Sequence, residues 1–289
     1  MTKPPEDIQG KIYDPVGRCI YCGSDGGTDG LRSEHILPFS LGGTAELPAA
    51  SCRKCEGITS YLDGYLARAI YHHLRVHTGT QSRNGHPEVL PAEIEMQDGK
   101  RTLVLPMNDH PFFLNMPVWG YPGVLRGFQP TTDFGDAKAH VYWSIPPTMR
   151  KTRGLDDGEA AIVRDTSGPI NLSTFGRAIA KIGYCHAVAH YGLWGFRRLV
   201  LPDLILGKYP CIPYFVGGDM ALPPPPTPRG QMHEFQFIDI NYRALRLLVV
   251  AFRIFAHSGT KENGMPIYRV VVGAPAPPTS VQPERSGGG

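Results

Sequence analysis

Two Cys-x-x-Cys pairs, Cys19/Cys22 and Cys52/Cys55, constrain this chain more than anything else in it. Four thiolates so spaced satisfy one tetrahedral zinc ion, and an ion bound there staples the loop between the pairs. Six cysteines in all would also suit three disulfides in a secreted protein. No charged and apolar export signal follows Met1, so zinc in a reducing cytoplasm is the expectation. Cys185 and Cys211 are left over, and each reads as a small buried hydrophobe rather than a reactive thiol.

Inside the stapled loop stand Glu34-His35, then Ile-Leu-Pro, then Gly42-Gly43. The ordered set of CIYC at 19–22, EHILP at 34–38, LGG at 41–43 and CRKC at 52–55 resembles the HNH (ββα-metal) endonucleases, in the branch built on two zinc knuckles. The resemblance covers residues 15–80, about a quarter of the chain. It implies a strand, a second strand and a helix around the Glu-His dipeptide, with DNA as substrate. It makes His35 the general base and Glu34 a ligand to a catalytic Mg²⁺ or Mn²⁺. Phosphodiester hydrolysis needs such a division, since a neutral imidazole can activate water and a hard cation can stabilise charge on the phosphate and the leaving oxygen.

Two positions depart from the family pattern. The residue after the second Cys pair, usually Asn or His, is Glu56 here. A Glu is a hard oxygen ligand, and it is equally placed as a first-turn acid facing the helix dipole. Thr59 and Asp63, further along the same helix, are alternative ligands. The family's middle Asn falls at 46–48, where the chain has none, and a backbone carbonyl is expected to hold the His35 ring instead. These departures also support a second reading, a zinc-knuckle module that binds nucleic acid without cutting it. A third, a purely structural zinc core, has no positive feature behind it.

Periodicity organises the rest. Residues 31–37 read as a first strand, 39–48 as a loop and return strand turning at Gly42-Gly43, and Ile58, Leu62, Leu66, Ile70 and Leu74 as one face of a helix running to Val76. Residues 89–96 and 101–105 read as strands joined at Asp98-Gly99, and 140–144 as another, while 107–135 resist assignment. Leu172–Tyr191 reads as a helix with Phe175, Ile179, Ile182 and Ala189 on one face. Residues 222–228 (LPPPPTP) form a polyproline spacer, and 233–240, 244–257 and 267–273 form a three-stranded antiparallel finish. The expected fold is α+β. An arm (1–17) precedes a zinc-stapled ββα-metal domain (18–80), a linker (81–90), a larger α+β domain of unknown role (91–273) and a disordered tail (274–289).

The net charge is only +3, so any nucleic-acid surface must be local. Arg32, Arg53, Lys54, Arg68, Arg75 and Arg83 flank the motif, and Arg53, Lys54, Arg68 and Arg75 are the expected phosphate contacts, set against the bland reading of a solvated helix edge. Two His pairs at helical spacing, His73/His77 and His186/His190, read as packed or solvent-facing rather than as metal sites. Tyr65 and Tyr71 read as packing residues. No apolar run is long enough for a membrane span. One such site nicks one strand, so clean double-strand cutting would require a homodimer.

Overall fold

The computed structural model describes residues 10–80, 85, 88–96, 99–146, 149, 162–164, 169–220, 232–242, 245–258 and 264–276. Most of the expected arm, Arg83, Asp98, the polyproline spacer and the tail from 277 lie outside the described residues.

The ββα order is present. Strand β1 (Leu31–His35) pairs antiparallel with β2 (Glu46–Cys52), and helix α1 (Arg53–Tyr65) follows without a break. The expected loop and return strand at 39–48 is a 3-10 turn at Phe39–Leu41 followed by a strand that starts at Glu46 and runs on past 48 to Cys52. The pairing is irregular. Arg32 faces Ser51 and Glu34 faces Leu47, so two residues of β2 bulge out, with Ala49 at a positive φ of 49°. Such bulges re-aim side chains next to functional sites. At the turn, Gly43 is obligatory in a simple steric sense, since a Cβ there would stand 2.1 Å from the Leu37 carbonyl oxygen.

The single helix expected to reach Val76 is broken into three. After α1 comes a π-helical stretch, Leu66–Ile70, in which Tyr71 N donates to Leu66 O at 2.9 Å, and then α2 (His72–His77). π-Segments of this kind are insertions that a helix keeps when side chains around them satisfy the backbone. Here Arg75 Nη1 donates to the Ala67 carbonyl at 3.2 Å, and Arg75 Nε donates to the Ser40 carbonyl.

Beyond residue 85, β3 (Val89–Met96), β4 (Gly99–Pro106) and β7 (Ile162–Arg164) form one small sheet in the order β4-β3-β7. Strands β5 (Phe112–Val118) and β6 (Lys138–Ser144) form another. Strand β5 falls in the stretch that periodicity left unassigned. Its sequence, FFLNMPV, is apolar on both faces and carries a Pro, which hides the alternation of a strand. Helix α3 (Leu172–Tyr191) has the bounds that its pattern predicts, with Asn171 Oδ1 accepting from Thr174 N at 2.8 Å as its N-cap.

The antiparallel finish is larger than expected. Strands β10 (Glu234–Tyr242), β11 (Leu245–Arg253) and β12 (Ile267–Pro275) run in that order, and β8 (Phe196–Arg197) and β9 (Val216–Asp219) both pair with β12. Helix α3 lies on β12 and β11. The two approach closely at Gly183, where a Cβ would stand 2.7 Å from Val270 Cβ.

One buried apolar cluster runs through the whole assembly. It joins Ile20, Tyr21, Ile36, Leu62 and Tyr71 of the ββα region to Phe175, Ile182, Tyr184, Phe235 and Val270 beyond it. The ββα region therefore shares its core with the segment that follows the expected linker. Among the described residues no helix is long and apolar enough to cross a membrane.

Candidate active site

The four cysteine sulfurs come together. Cys19 and Cys22 sit on a tight turn in which Gly23 N donates to Cys19 O and Cys19 N to Ser24 O, both at 2.8 Å. Cys52 ends β2, and Cys55 lies in the first turn of α1. All four Sγ atoms lie within 4.8 Å of one another, and none is in a disulfide. Sulfurs around a tetrahedral zinc are about 3.8 Å apart, and Cys22 Sγ and Cys52 Sγ are 3.6 Å apart. The set fits one zinc ion. Among the described residues it is the one group of three or more His, Cys, Asp or Glu donors gathered this closely.

Beside this knot opens a cleft of about 600 Å³. Arg32, Glu34, His35, Glu56, Thr59, Asp63, Arg68 and Arg75 all line it. In a regular strand Glu34 and His35 would point to opposite faces. The bulged pairing and the end of β1 at His35 let both serve one cavity.

His35 faces its cross-strand partner. Its Nε2 lies 3.5 Å from Glu46 Oε1, and the ring packs beside Phe39 with centroids 5.9 Å apart. A side-chain carboxylate therefore stands where a backbone carbonyl was expected. The register places it at the family's middle position, 46–48.

Glu34 is buried, 4% exposed, and both its oxygens are engaged. Oε2 accepts from Thr59 Oγ1 at 3.1 Å, and Oε1 pairs with Lys181 Nζ at 3.0 Å. Lys181 comes from α3 and is fully buried. The same Nζ pairs with Asp63 Oδ2 at 3.1 Å and donates to the His35 carbonyl at 2.6 Å. Burial opposes charge on this lysine, but Asp63 and Glu34 outweigh it and hold the group protonated. Burial pushes the Asp63 carboxyl up to about 6, with Lys181 pulling it down and Glu34 adding to the rise. Sequence reasoning missed Lys181 altogether, since it lies 146 residues from His35 with no motif around it. It also missed Glu46.

The catalytic metal can be tested against these donors. Asp63 Oδ1 is buried with no hydrogen-bond partner among the described residues, on a carboxylate that shares an ammonium with Glu34. An orphaned anionic oxygen beside a second carboxylate fits a hard cation. Glu56 is differently occupied, with its Oε2 ion-paired to Arg32 Nη1 at 3.1 Å across the rim of the cleft. It also stands in the first turn of α1, so the helix-dipole reading applies to it as well.

The four expected phosphate contacts separate. Arg68 lines the cleft and is exposed. Arg75 lines it but is 8% exposed, with its donors given to the Ser40 and Ala67 carbonyls. Arg53 and Lys54 are exposed and do not line it, and Arg53 lies 3.7 Å from Asp29. In the second His pair, His186 is buried and stacked on Phe237 at 4.7 Å, and His190 is exposed with its ring 4.2 Å from the same Phe237. Tyr71 is buried against Phe255, and Tyr65 bonds Asn171.

Residues 19–69 match the family model for HNH endonucleases. No curated protein and no solved structure matches the chain.

Proposed function

We propose that this chain, whose residues 19–69 carry the HNH endonuclease signature, is a metal-dependent endonuclease acting on DNA. The observation that carries the reading is the cleft itself. It gathers an imidazole, a pair of carboxylates and an exposed arginine beside the cysteine knot.

In this reading His35 is the general base. Its Nε2 faces Glu46 at 3.5 Å, and the neutral imidazole takes a proton from the attacking water. Glu46 holds the ring and stabilises the imidazolium that forms, as a carboxylate does for a catalytic histidine elsewhere. Glu34 and Asp63 hold the divalent metal, Mg²⁺ or Mn²⁺, with Thr59 fixing Glu34. When bound, that ion supplies positive charge to the scissile phosphate and the leaving 3′ oxygen. Glu56 keeps Arg32 at the rim. Arg68 meets the backbone phosphates, and Arg53 and Lys54 extend that contact outside the cleft. The four cysteines hold a structural zinc that fixes β2 and α1 to the N-terminal knuckle. The products are a 5′-phosphate and a 3′-hydroxyl, and cutting both strands takes a homodimer.

The test is nicking of supercoiled plasmid by zinc-loaded protein with Mg²⁺, Mn²⁺ or EDTA. We expect nicking that EDTA abolishes and that His35→Ala lowers by about 10²-fold or more, the scale of a lost general base. The absence of nicking from folded, zinc-loaded protein, with salt-dependent DNA binding that His35→Ala leaves unchanged, favours the binding-only reading.

A further inference from the structure

Lys181 comes from outside the matched segment and is ion-paired to two carboxylates that line the cleft. It is not a surface lysine reaching in. Helix α3 carries it fully buried, two residues before the Gly183 contact that seats the helix on β12. Its ammonium has three protons and three acceptors: Glu34 Oε1, Asp63 Oδ2 and the His35 carbonyl. It is thus bonded to both members of the Glu-His dipeptide and to the second carboxylate. A buried pair of carboxylates near one another needs a cation, or one of them protonates. Here the chain brings its own.

We propose that Lys181 is a built-in cation for the Glu34/Asp63 pair and a positioning residue of the site, against which a divalent metal must compete. The inference rests on the reading that these two carboxylates take a metal. Two ionised carboxylates give the pocket a charge of −2, and the ammonium reduces this to −1. The lysine therefore keeps the carboxylates assembled before any metal arrives, and its charge weakens the metal's attraction to them. The segment beyond the linker thereby sets how readily the ββα site loads.

The test is Mn²⁺ titration by calorimetry on the full-length, zinc-loaded chain, which reads the metal without reference to cleavage. Lys181→Met removes the charge at nearly constant volume, and Lys181→Arg keeps it. We expect Lys181→Met to bind Mn²⁺ at least about tenfold more tightly than wild type, and Lys181→Arg to stay near wild type. The melting temperature of Lys181→Met should also rise on adding Mn²⁺ by more than that of wild type. Equal or weaker Mn²⁺ binding in Lys181→Met overturns the inference. If Lys181→Met does not fold, Lys181→Gln, which retains a donor for the His35 carbonyl, is judged by the same criterion. Absence of Mn²⁺ binding in every form overturns both this inference and the metal reading beneath it. Tighter binding in Lys181→Met, with no nicking by wild type, supports the inference and removes the nuclease assignment alone.

Discussion

At the scale of single residues, the site divides into side chains that a spacing rule could find and side chains that only folding brings in. Glu34 and His35 stood out in the sequence because they lie between the two cysteine pairs at motif distance from both. Glu46 did not, since a lone glutamate at the start of a strand is ordinary. Register counted from a turn at Gly42-Gly43 would have set Ala50 opposite His35, whereas the pairing that sets Glu46 there is centred on the 3-10 turn at Phe39–Leu41. The role of Glu46 makes a definite prediction. Glu46→Gln keeps the size and an acceptor for His35 Nε2 but removes the charge that favours the imidazolium. Nicking by Glu46→Gln should fall about tenfold or more, and by Glu46→Ala further, with little change in DNA affinity. Rates at saturating plasmid, beside a binding isotherm, check this. Equal rates in wild type and Glu46→Ala would show that the ring is held by something else. Lys181 had no local signal of any kind. Its meaning comes from three acceptors far away in sequence, and periodicity marks position 181 only as part of a helix.

Elements were legible where one rule governs them. Helix α3 follows from an uninterrupted 3.6-residue pattern, an Asn cap and Gly192 at its end. The helix after Cys52 was over-extended, because its apolar pattern continues through a π-segment that periodicity cannot register. Strand β5 was missed because its sequence is apolar on both faces and carries a Pro, so hydrophobicity does not alternate along it. The β1–β2–α1 unit is short for a self-standing element, and its pairing is interrupted by a two-residue bulge. The cysteine knot gathers β2, the start of α1 and the N-terminal turn around one candidate zinc position, beside backbone bonds such as Ile20 N to Ala50 O. Removing zinc with a chelator, or replacing Cys52 with Ser, should therefore cost several kcal/mol. At about 2–4 °C per kcal/mol for a chain of this size, the melting temperature should fall by on the order of 10 °C. Differential scanning calorimetry with and without chelator measures it. Exchange of amides in β1 and α1 should rise before that of α3. A chain indifferent to the chelator would not hold structural zinc.

At the scale of the whole molecule, an arm, a nuclease module and a separate second domain were expected, and the packing joins the last two. The linker boundary was drawn on composition, a polar stretch after residue 76, and composition says nothing about whether the flanking segments share a core. They do. Tyr184 Oη donates to the Ile20 carbonyl at 2.6 Å, Arg198 Nη1 donates to the same oxygen at 2.9 Å, and Tyr21 Oη lies 3.3 Å from Cys185 Sγ. Each of these ties the first zinc knuckle to α3 or to the loop after it. Lys181 does the same for the cleft. A fragment of residues 10–80 would lose all four contacts, expose the faces of Ile20, Tyr21, Leu66 and Tyr71 that pack on the remainder, and leave Glu34 and Asp63 without their cation. Unpairing a buried ion pair alone costs about 3–5 kcal/mol, comparable with the total stability of a small domain. We expect the zinc-loaded fragment to bind metal through its cysteines yet show poorly dispersed amide resonances and no cooperative melt. Adding residues 169–276 in trans should restore dispersion if the two pieces dock as in the intact chain. A fragment that melts cooperatively and nicks plasmid alone would mean that the HNH segment is self-sufficient, and α3 would then be a neighbour of the site rather than part of it.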